Sequence, residues 1–320
     1  MTTDTHKGDP KAGKRAAKGS GSRFWREVRG YAEALIIAFL IVTFVFTTVG
    51  VVGSSMQPTL DGGSGRLPQS LFTGDRVFIP KYDTWLRRMG LLGPYPLGDI
   101  VVVREPENAP SLRQGARRAF FIKRVMGRPG DRLRIDNGQV FINGVAVDQS
   151  FITDSGEITP DPIDFPVVVV QNGQVVGFQG LVRGTFDPLT GGPAPVGGEA
   201  MTFFYGDTIA ALAPIPEGAP EGEPFLHELI VPEGHYFVMG DNRQASRGGS
   251  EDSRYFGPID SIAIAGRATA VIWPPRRDGA WNWRRLTPPA AFGAIPDPDG
   301  QTDQTERQPE GAATALALTP

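Results

Sequence analysis

The chain has 320 residues, 40% of them hydrophobic, with 41 glycines and 29 prolines. That allows one large domain or two small ones plus tails, in a loop-rich, β-rich body rather than a helical bundle. A net charge of −3 disfavours nucleic-acid binding by the whole chain, and the absence of cysteine removes thiol catalysis, disulfides and thiolate metal sites together.

The charge is uneven along the chain. Residues 1–30 form a basic tail with a net charge of +5, which leaves −8 for the remainder. Ala34 to Val52, "ALIIAFLIVTFVFTTVGVV", is 19 residues without a charge, close to the length that crosses a bilayer. A transmembrane helix is expected within 31–52, with Thr43, Thr47 and Thr48 returning their hydroxyls to helix carbonyls. A cleavable secretory signal is the alternative. The long basic lead-in, the length of the run and the lack of a small-x-small site after it favour an uncleaved anchor. The basic flank gives an N-in, C-out orientation, so that Ser55 emerges within about one helical turn of the outer surface.

Past Gly53 the sequence turns β-like. "DRVFIPKY", "DIVVVREP", "AFFIKRVMG" and "DRLRIDNGQVFINGVAV" are short β-branched or aromatic runs, and Asn137-Gly138 and Asn143-Gly144 are strong hairpin turns. Residues 53–140 read as the first part of a catalytic domain and 232–287 as its second part. Between them, 141–231 reads as an inserted β domain, with "FPVVVVQNGQVVGF" as a hairpin and "PIPEGAPEGEP" as a loop. From Pro288 to residue 320 the composition predicts a disordered tail.

The chemistry starts at Ser55, in "VVGSSMQPTL" directly after the apolar run. The Gly-x-Ser-x-Gly elbow is not present, since position 57 is Gln. His6 lies in the tail, His227 in the insertion, and His235 has no obvious acidic orienter. Lys123 is the best candidate for a base. Strand alternation places it with Phe121 and Val125 on one face, opposite Phe120, Ile122 and Arg124. Apolar neighbours disfavour an ammonium and can lower a lysine pKa by about 3–5 units; the neutral amine can then accept a serine proton. A lysine snorkelling from an edge strand fits the same pattern. Asp241, Arg243, Asp252 and Arg254, in "MGDNRQASRGGSEDSRYFGP", read as loop ion pairs of the weak surface kind.

"GSSMQPTL", "FFIKRVMGRPGD" and "MGDNR…SEDSRYFG", in that order behind an N-terminal anchor, resemble bacterial type I signal peptidase (leader peptidase). The resemblance covers roughly residues 30–140 and 230–275. It implies a mostly β fold with an inserted second domain, and a Ser-Lys dyad that cleaves signal peptides from exported preproteins at the outer face of the plasma membrane, with no metal or organic cofactor. By motif position Ser55 is then the nucleophile and Lys123 the general base, later the acid for the leaving amine. The Ser55 N–H supplies part of the oxyanion hole. Many members place a serine two positions before the nucleophile; here that position is Gly53, leaving backbone donors or Ser54. The family serine that hydrogen-bonds the lysine corresponds to Ser250 counted backward from "SEDSR", or to Ser246 counted forward from "GDNR". "QASRGG" is four residues longer than the usual spacer, and Ser250 is favoured because its register is intact. Arg124 with Asp241, and Asp252 with Arg254, match the family's structural salt bridges. Asp75 reads as a turn residue.

The resemblance further implies shallow apolar pockets for small-x-small residues, lined by Met56, Leu60, Phe121 and Ile122, or else these four are ordinary core. "WLRRMGLLGPY" and "WPPRRDGAWNWRRL" suit either lipid headgroups or a buried core with exposed arginines. Two other readings stay open: a specialised Ser-Lys processing peptidase with a narrow substrate set, such as pilins, and a non-enzymatic anchored scaffold. A self-cleaving repressor needs a DNA-binding domain, against which the anchor argues. Oligomeric state is not legible.

Overall fold

We describe the protein from a computed structural model, over residues 20–63, 73–106, 119–179, 211–244, 249–277 and 279–298. Ser246 therefore lies outside the described residues, as do most of the N-terminal tail and residues 180–210 of the expected insertion. The chain divides into two compact units, one up to Phe46 and one from Thr47 on.

The first unit is helix α1 (Ser20–Leu40), continued by a π-helical turn, Ile41–Val45. Phe24–Val45 is long and apolar enough to cross a membrane. The expected span ran to Val52, and its end is corrected here: Phe46–Gly50 is strand β1. Val51, 3% exposed, belongs to the core of the second unit. Thr47 and Thr48 are thus strand residues rather than helix residues. The physical reason is the β-branched and aromatic density of "VTFVFTTVGVV", which suits a pleated strand as well as an apolar helix. Ser55 is consequently separated from the helix by a strand.

The second unit is built from strands. In chain order these are β2 (Arg76–Pro80), β3 (Ile100–Arg104), β4 (Phe120–Gly127), β5 (Arg132–Asp136), β6 (Gln139–Ile142), β7 (Val145–Ala146), β8 (Val167–Gln171) and β9 (Gln174–Gln179). They continue with β10 (Pro224–Leu226), β11 (Leu229–Ile230), β12 (His235–Met239), β13 (Ile259–Asp260), β14 (Ile264–Arg267), β15 (Ala270–Trp273), β16 (Arg276–Arg277), β17 (Ala280–Trp281) and β18 (Arg284–Arg285). Short helices are α2 (Lys81–Arg88), α3 (Ser150–Thr153) and α4 (Ser253–Phe256). The sheets run β1-β2-β15-β18, β13-β12-β4-β3-β14, β11-β5-β6-β7 and β10-β8-β9, with a small β16-β17 hairpin.

The five-stranded sheet positions the site. Strand β3 reads Ile-Val-Val-Val without polar alternation because it is buried on both faces. Val101 and Val103 enter the larger core, while Ile100 and Val102 enter a smaller one with Met56, Leu60, Val77 and Ile122. Its neighbour β4 pairs Val101 with Lys123 and Ile100 with Arg124. The lysine and arginine are thereby carried into a doubly covered sheet.

Two expected boundaries differ from the structure. Residue 140 falls inside β6, and the larger core runs across it, joining Val125 and Phe237 to Val140, Phe165 and Leu229. The tail expected from Pro288 is ordered at its start: Ala290–Ala294 forms a 3-10 turn, and Phe292 and Ile295 are buried in the same core. Arg128 pairs with Asp297 at 2.7 Å and Asn143 donates to the Pro296 carbonyl at 2.8 Å, so a few specific contacts dock a Pro/Ala-rich stretch, which averaged composition conceals.

Candidate active site

Ser55 sits in the tight turn that follows β1. Gly53, at φ +85°, bridges Gly62 so closely that a Cβ on Gly62 would overlap the Gly53 backbone, so the ends of the turn meet. Met56 and Leu60, 1% and 0% exposed, pin it into the smaller core. Lys123 Nζ lies 3.2 Å from Ser55 Oγ. The lysine is 2% exposed and stands 5.0 Å from the Phe121 ring centroid. Burial lowers its pKa from 10.5 to about 8; the carboxylates of Asp252 and Glu251 oppose that shift and Arg254 assists it. The lysine is therefore not a snorkelling edge residue.

Beneath the pair lies a sealed ionic layer. Arg124 grips Asp241 with two bonds, Nε to Oδ1 at 2.8 Å and Nη2 to Oδ2 at 2.6 Å, and donates to the Gly98 carbonyl at 2.6 Å. Arg254 grips Asp252 likewise at 2.9 and 3.0 Å. Arg243 donates to the Gly240 carbonyl at 2.8 Å. All five are buried, which corrects the expectation of weak surface pairs. The Asp252 pKa is lowered: burial, the largest cause, pushes it up, but the Arg254 charge and hydrogen bond, the Gly240 N–H and the Lys123 charge together outweigh it. Arg243 drops to about 10 through burial and the neighbouring Arg254 charge.

This layer holds the turn that carries Ser55. Thr59 Oγ1 donates to Asp241 Oδ2 at 2.5 Å. Asn242 donates its backbone N–H to the Ser55 carbonyl at 3.1 Å and its side-chain amide to the Ser54 carbonyl at 3.2 Å. A trans peptide sets N–H opposite C=O; with the Ser54 carbonyl held on the Asn242 side, the Ser55 N–H points the other way. Gly240 leaves no room for a Cβ between Ser250 and the Ser55 carbonyl. Ser250, 1% exposed, thus abuts the turn, with its Oγ 3.5 Å from the Glu251 carbonyl.

Of the expected pocket residues, Met56, Leu60 and Ile122 are core and brace the turn, whereas Phe121 is half-buried beside the amine. His227 and His235 direct ring nitrogens at the carbonyls of Ala213 and Glu233. Thr59 and Asn242 were not singled out by sequence, although both stand inside the quoted motifs. Asp75 is more than a turn residue. It is fully buried and accepts from the Asp61 N–H at 3.0 Å, Asn282 at 2.9 Å and Arg277 at 3.1 Å. Arg284 reaches both its carboxylate, at 3.5 Å, and the Thr59 carbonyl, at 2.7 Å.

Comparison with known proteins gives these parts a common setting. Residues 25–273 match the family described as signal peptidase, peptidase S26. Signal peptidase I of Bacillus licheniformis is 26% identical over 248 residues, 77% of this chain and 87% of that one. Signal peptidase IB of Staphylococcus aureus strain COL is 27% identical over 243 residues, 76% and 86% of the two chains. A signal peptidase I crystal structure from Enterococcus faecalis V583 is 22% identical, covers 56% of this chain and 99% of its own, and superposes with a TM-score of 0.28. Since the matched span begins in the apolar helix, ends in β15 and takes in all three stretches that build the site, the chain belongs to the signal peptidase family, peptidase S26.

Proposed function

We propose that this serine endopeptidase removes signal peptides from exported preproteins through a Ser55–Lys123 dyad, held in the plasma membrane by its single N-terminal helix with the β-rich unit outside. The observation that carries the reading is a sequestered amine 3.2 Å from a half-buried alcohol. With a pKa of about 8, about a tenth of the lysines are neutral at pH 7, against fewer than about one in a thousand for an ordinary lysine.

Neutral Nζ takes the Ser55 proton as Oγ attacks the carbonyl carbon after the small residue. The Ser55 N–H, aimed away from Asn242, donates to the resulting oxyanion, a contact worth about 3 kcal/mol of barrier in other acyl-transfer sites. The ammonium returns its proton to the departing amine, which is the new N-terminus of the mature protein. Nζ then deprotonates water, which opens the Ser55 ester and frees the signal peptide. The basic flank of the apolar helix supports the N-in orientation.

Cleavage of several unrelated preproteins by the full chain, with the product N-terminus sequenced, tests this. Ser55→Ala and Lys123→Ala are each expected to abolish processing while leaving the unfolding transition in place. Processing at close to the wild-type rate after either change would overturn the dyad, and cleavage of only one preprotein would favour a dedicated processing enzyme.

A further inference from the structure

Residues 290–298 lie past residue 273, where the family match ends, and form a strap against the larger core. One end is fixed by Asp297 on Arg128, by the Pro296 carbonyl on Asn143 and by Pro298 against Gly130. The other end carries Phe292, in the turn Ala290–Ala294. Phe292 meets two groups, and both hold Arg124. Its ring lies on Gly98, which is at φ +82°, so closely that a Cβ there would stand 2.5 Å from the ring. The Gly98 carbonyl accepts from Arg124 Nη1 at 2.6 Å. The ring also packs on Phe151 of α3, with centroids 5.7 Å apart. Phe151 in turn stands against the Arg124 guanidinium, 4.8 Å from its own centroid.

The arginine has no freedom left. Nε and Nη2 are spent on Asp241, Nη1 on Gly98 and the planar face on Phe151. Nη2 also reaches Thr59 Oγ1, 3.3 Å away, in the turn that carries Ser55. Close-packed interiors pass a displacement on instead of absorbing it. Without the ring, Gly98 and Phe151 lose their backing and the fork of Arg124 can shift on Asp241. A misplacement of about 1 Å at a reacting group can cost about 10²-fold in rate.

We propose that Phe292 is a positioning residue for the cleavage reaction: it backs the Gly98 carbonyl and the Phe151 ring, these seat Arg124 on Asp241, and Asp241 with Thr59 seats the turn that carries Ser55. This rests on the reading of a Ser55–Lys123 peptidase and adds the strap to its machinery. The charges follow the geometry. Asp252, Glu251 and Asp241 favour the Lys123 ammonium and Arg254 opposes it. An Asp241 less tightly paired favours the ammonium more strongly, so loss of the ring raises the pH at which the amine becomes free.

Preprotein cleavage kinetics of the full chain test this in wild type, Phe292→Ala, Phe292→Leu and Ile295→Ala, each assayed below its own unfolding transition. Ile295 is buried in the same strap and the same core, so its truncation supplies a matched loss of packing. In Phe292→Ala, kcat should fall about ten- to a hundredfold with KM unchanged, and the midpoint of the rate–pH curve should move up. Phe292→Leu should move both in the same direction by less, and it carries the test by the same criteria where the alanine variant does not fold. Ile295→Ala should lose stability and keep the wild-type kcat and midpoint. In an Arg124→Lys background, which keeps the charge and loses the fork, Phe292→Ala should cost no further kcat; full additivity would overturn the route through Arg124. A folded Phe292→Ala enzyme with wild-type kcat and midpoint would overturn the proposal. So would the same kinetic change in Ile295→Ala, which would assign the effect to general loosening. The wild type and Lys123→Ala separate the two readings: a wild type that cleaves nothing, or Lys123→Ala that cleaves at close to the wild-type rate, sinks the proposed function instead.

Discussion

Two charged clusters hold the turn that carries Ser55, and they differ in how dry they are. On one side, Arg124–Asp241 and Arg254–Asp252 are sealed within the fold, side chains 0–4% exposed, and they fasten the Thr59 hydroxyl. On the other, Asp75 is equally buried, but its arginines are not: Arg277 and Arg284 are 23% and 40% exposed, and they fasten the Thr59 carbonyl and Asp61. The sealed cluster sets the electrostatics around Lys123, since Asp252, Arg254 and Asp241 all act on its charge. The open cluster has no such reach and acts by geometry. Buried pairs rarely stabilise a fold compared with apolar packing, but breaking one strands a charge. The sealed cluster is therefore a device for poising an amine, and the open one a clip.

The comparison can be sharpened in descending order of effect. Lys123→Met removes the proposed base, whose charge the sealed cluster acts on; single-turnover preprotein cleavage should fall by about 10²–10⁴-fold, with thermal stability kept or raised. Asp252→Asn leaves Arg254 facing a neutral amide and should cost about 3–5 kcal/mol in denaturant unfolding. It also removes the largest influence holding the Lys123 proton on, so the rise of rate with pH should move below that of the wild type.

In the wild type the rise should be centred near pH 8, with kcat/KM falling about tenfold per pH unit below it. The sign for stability follows from the same lowered value. Between about pH 8 and 10.5 the unfolded lysine holds a proton that the folded one has lost, so stability should increase with pH across that window. A rate profile flat from pH 6 to 9 would break the comparison at its root. Asp75→Asn weakens only the clip: about 1–3 kcal/mol of stability and a lower kcat, with the profile unmoved. Thr59→Val, which touches both clusters, should cost about 1 kcal/mol, since one neutral hydrogen-bond donor is lost.

The central sheet was legible because β4 and the hairpin turns write their geometry locally. Asn137, Asn143 and Asn172 take positive φ, each followed by a glycine that does the same, as such turns require. The contact between Ser55 and Lys123 was legible only as a combination of stretches, since the two lie on elements that meet through long-range pairing. Burial was the part that stayed hidden. A run of Asp and Arg residues looks alike on a surface and inside a core, so Asp241, Arg243 and Asp252 read as a polar loop. Asp75 looked local because three of its partners, Arg277, Asn282 and Arg284, are some two hundred positions away in sequence. The helix end was misplaced because threonine, valine and phenylalanine satisfy lipid and sheet equally. The ordered segment at Phe292 and Ile295 was lost in the composition of its neighbours.

The spacer between Arg243 and Ser250 raises a final point. Gly249 sits so close to the Gln244 carbonyl that a methyl group there would collide with it, and the Ser250 N–H donates to the Asn242 carbonyl at 3.2 Å. The chain therefore closes on itself before and after the spacer, like a purse drawn shut by its string. Growth or shrinkage of the segment between those two points leaves the serine and the asparagine where they are. That length is therefore open to insertion or deletion without disturbing the contacts around Ser55.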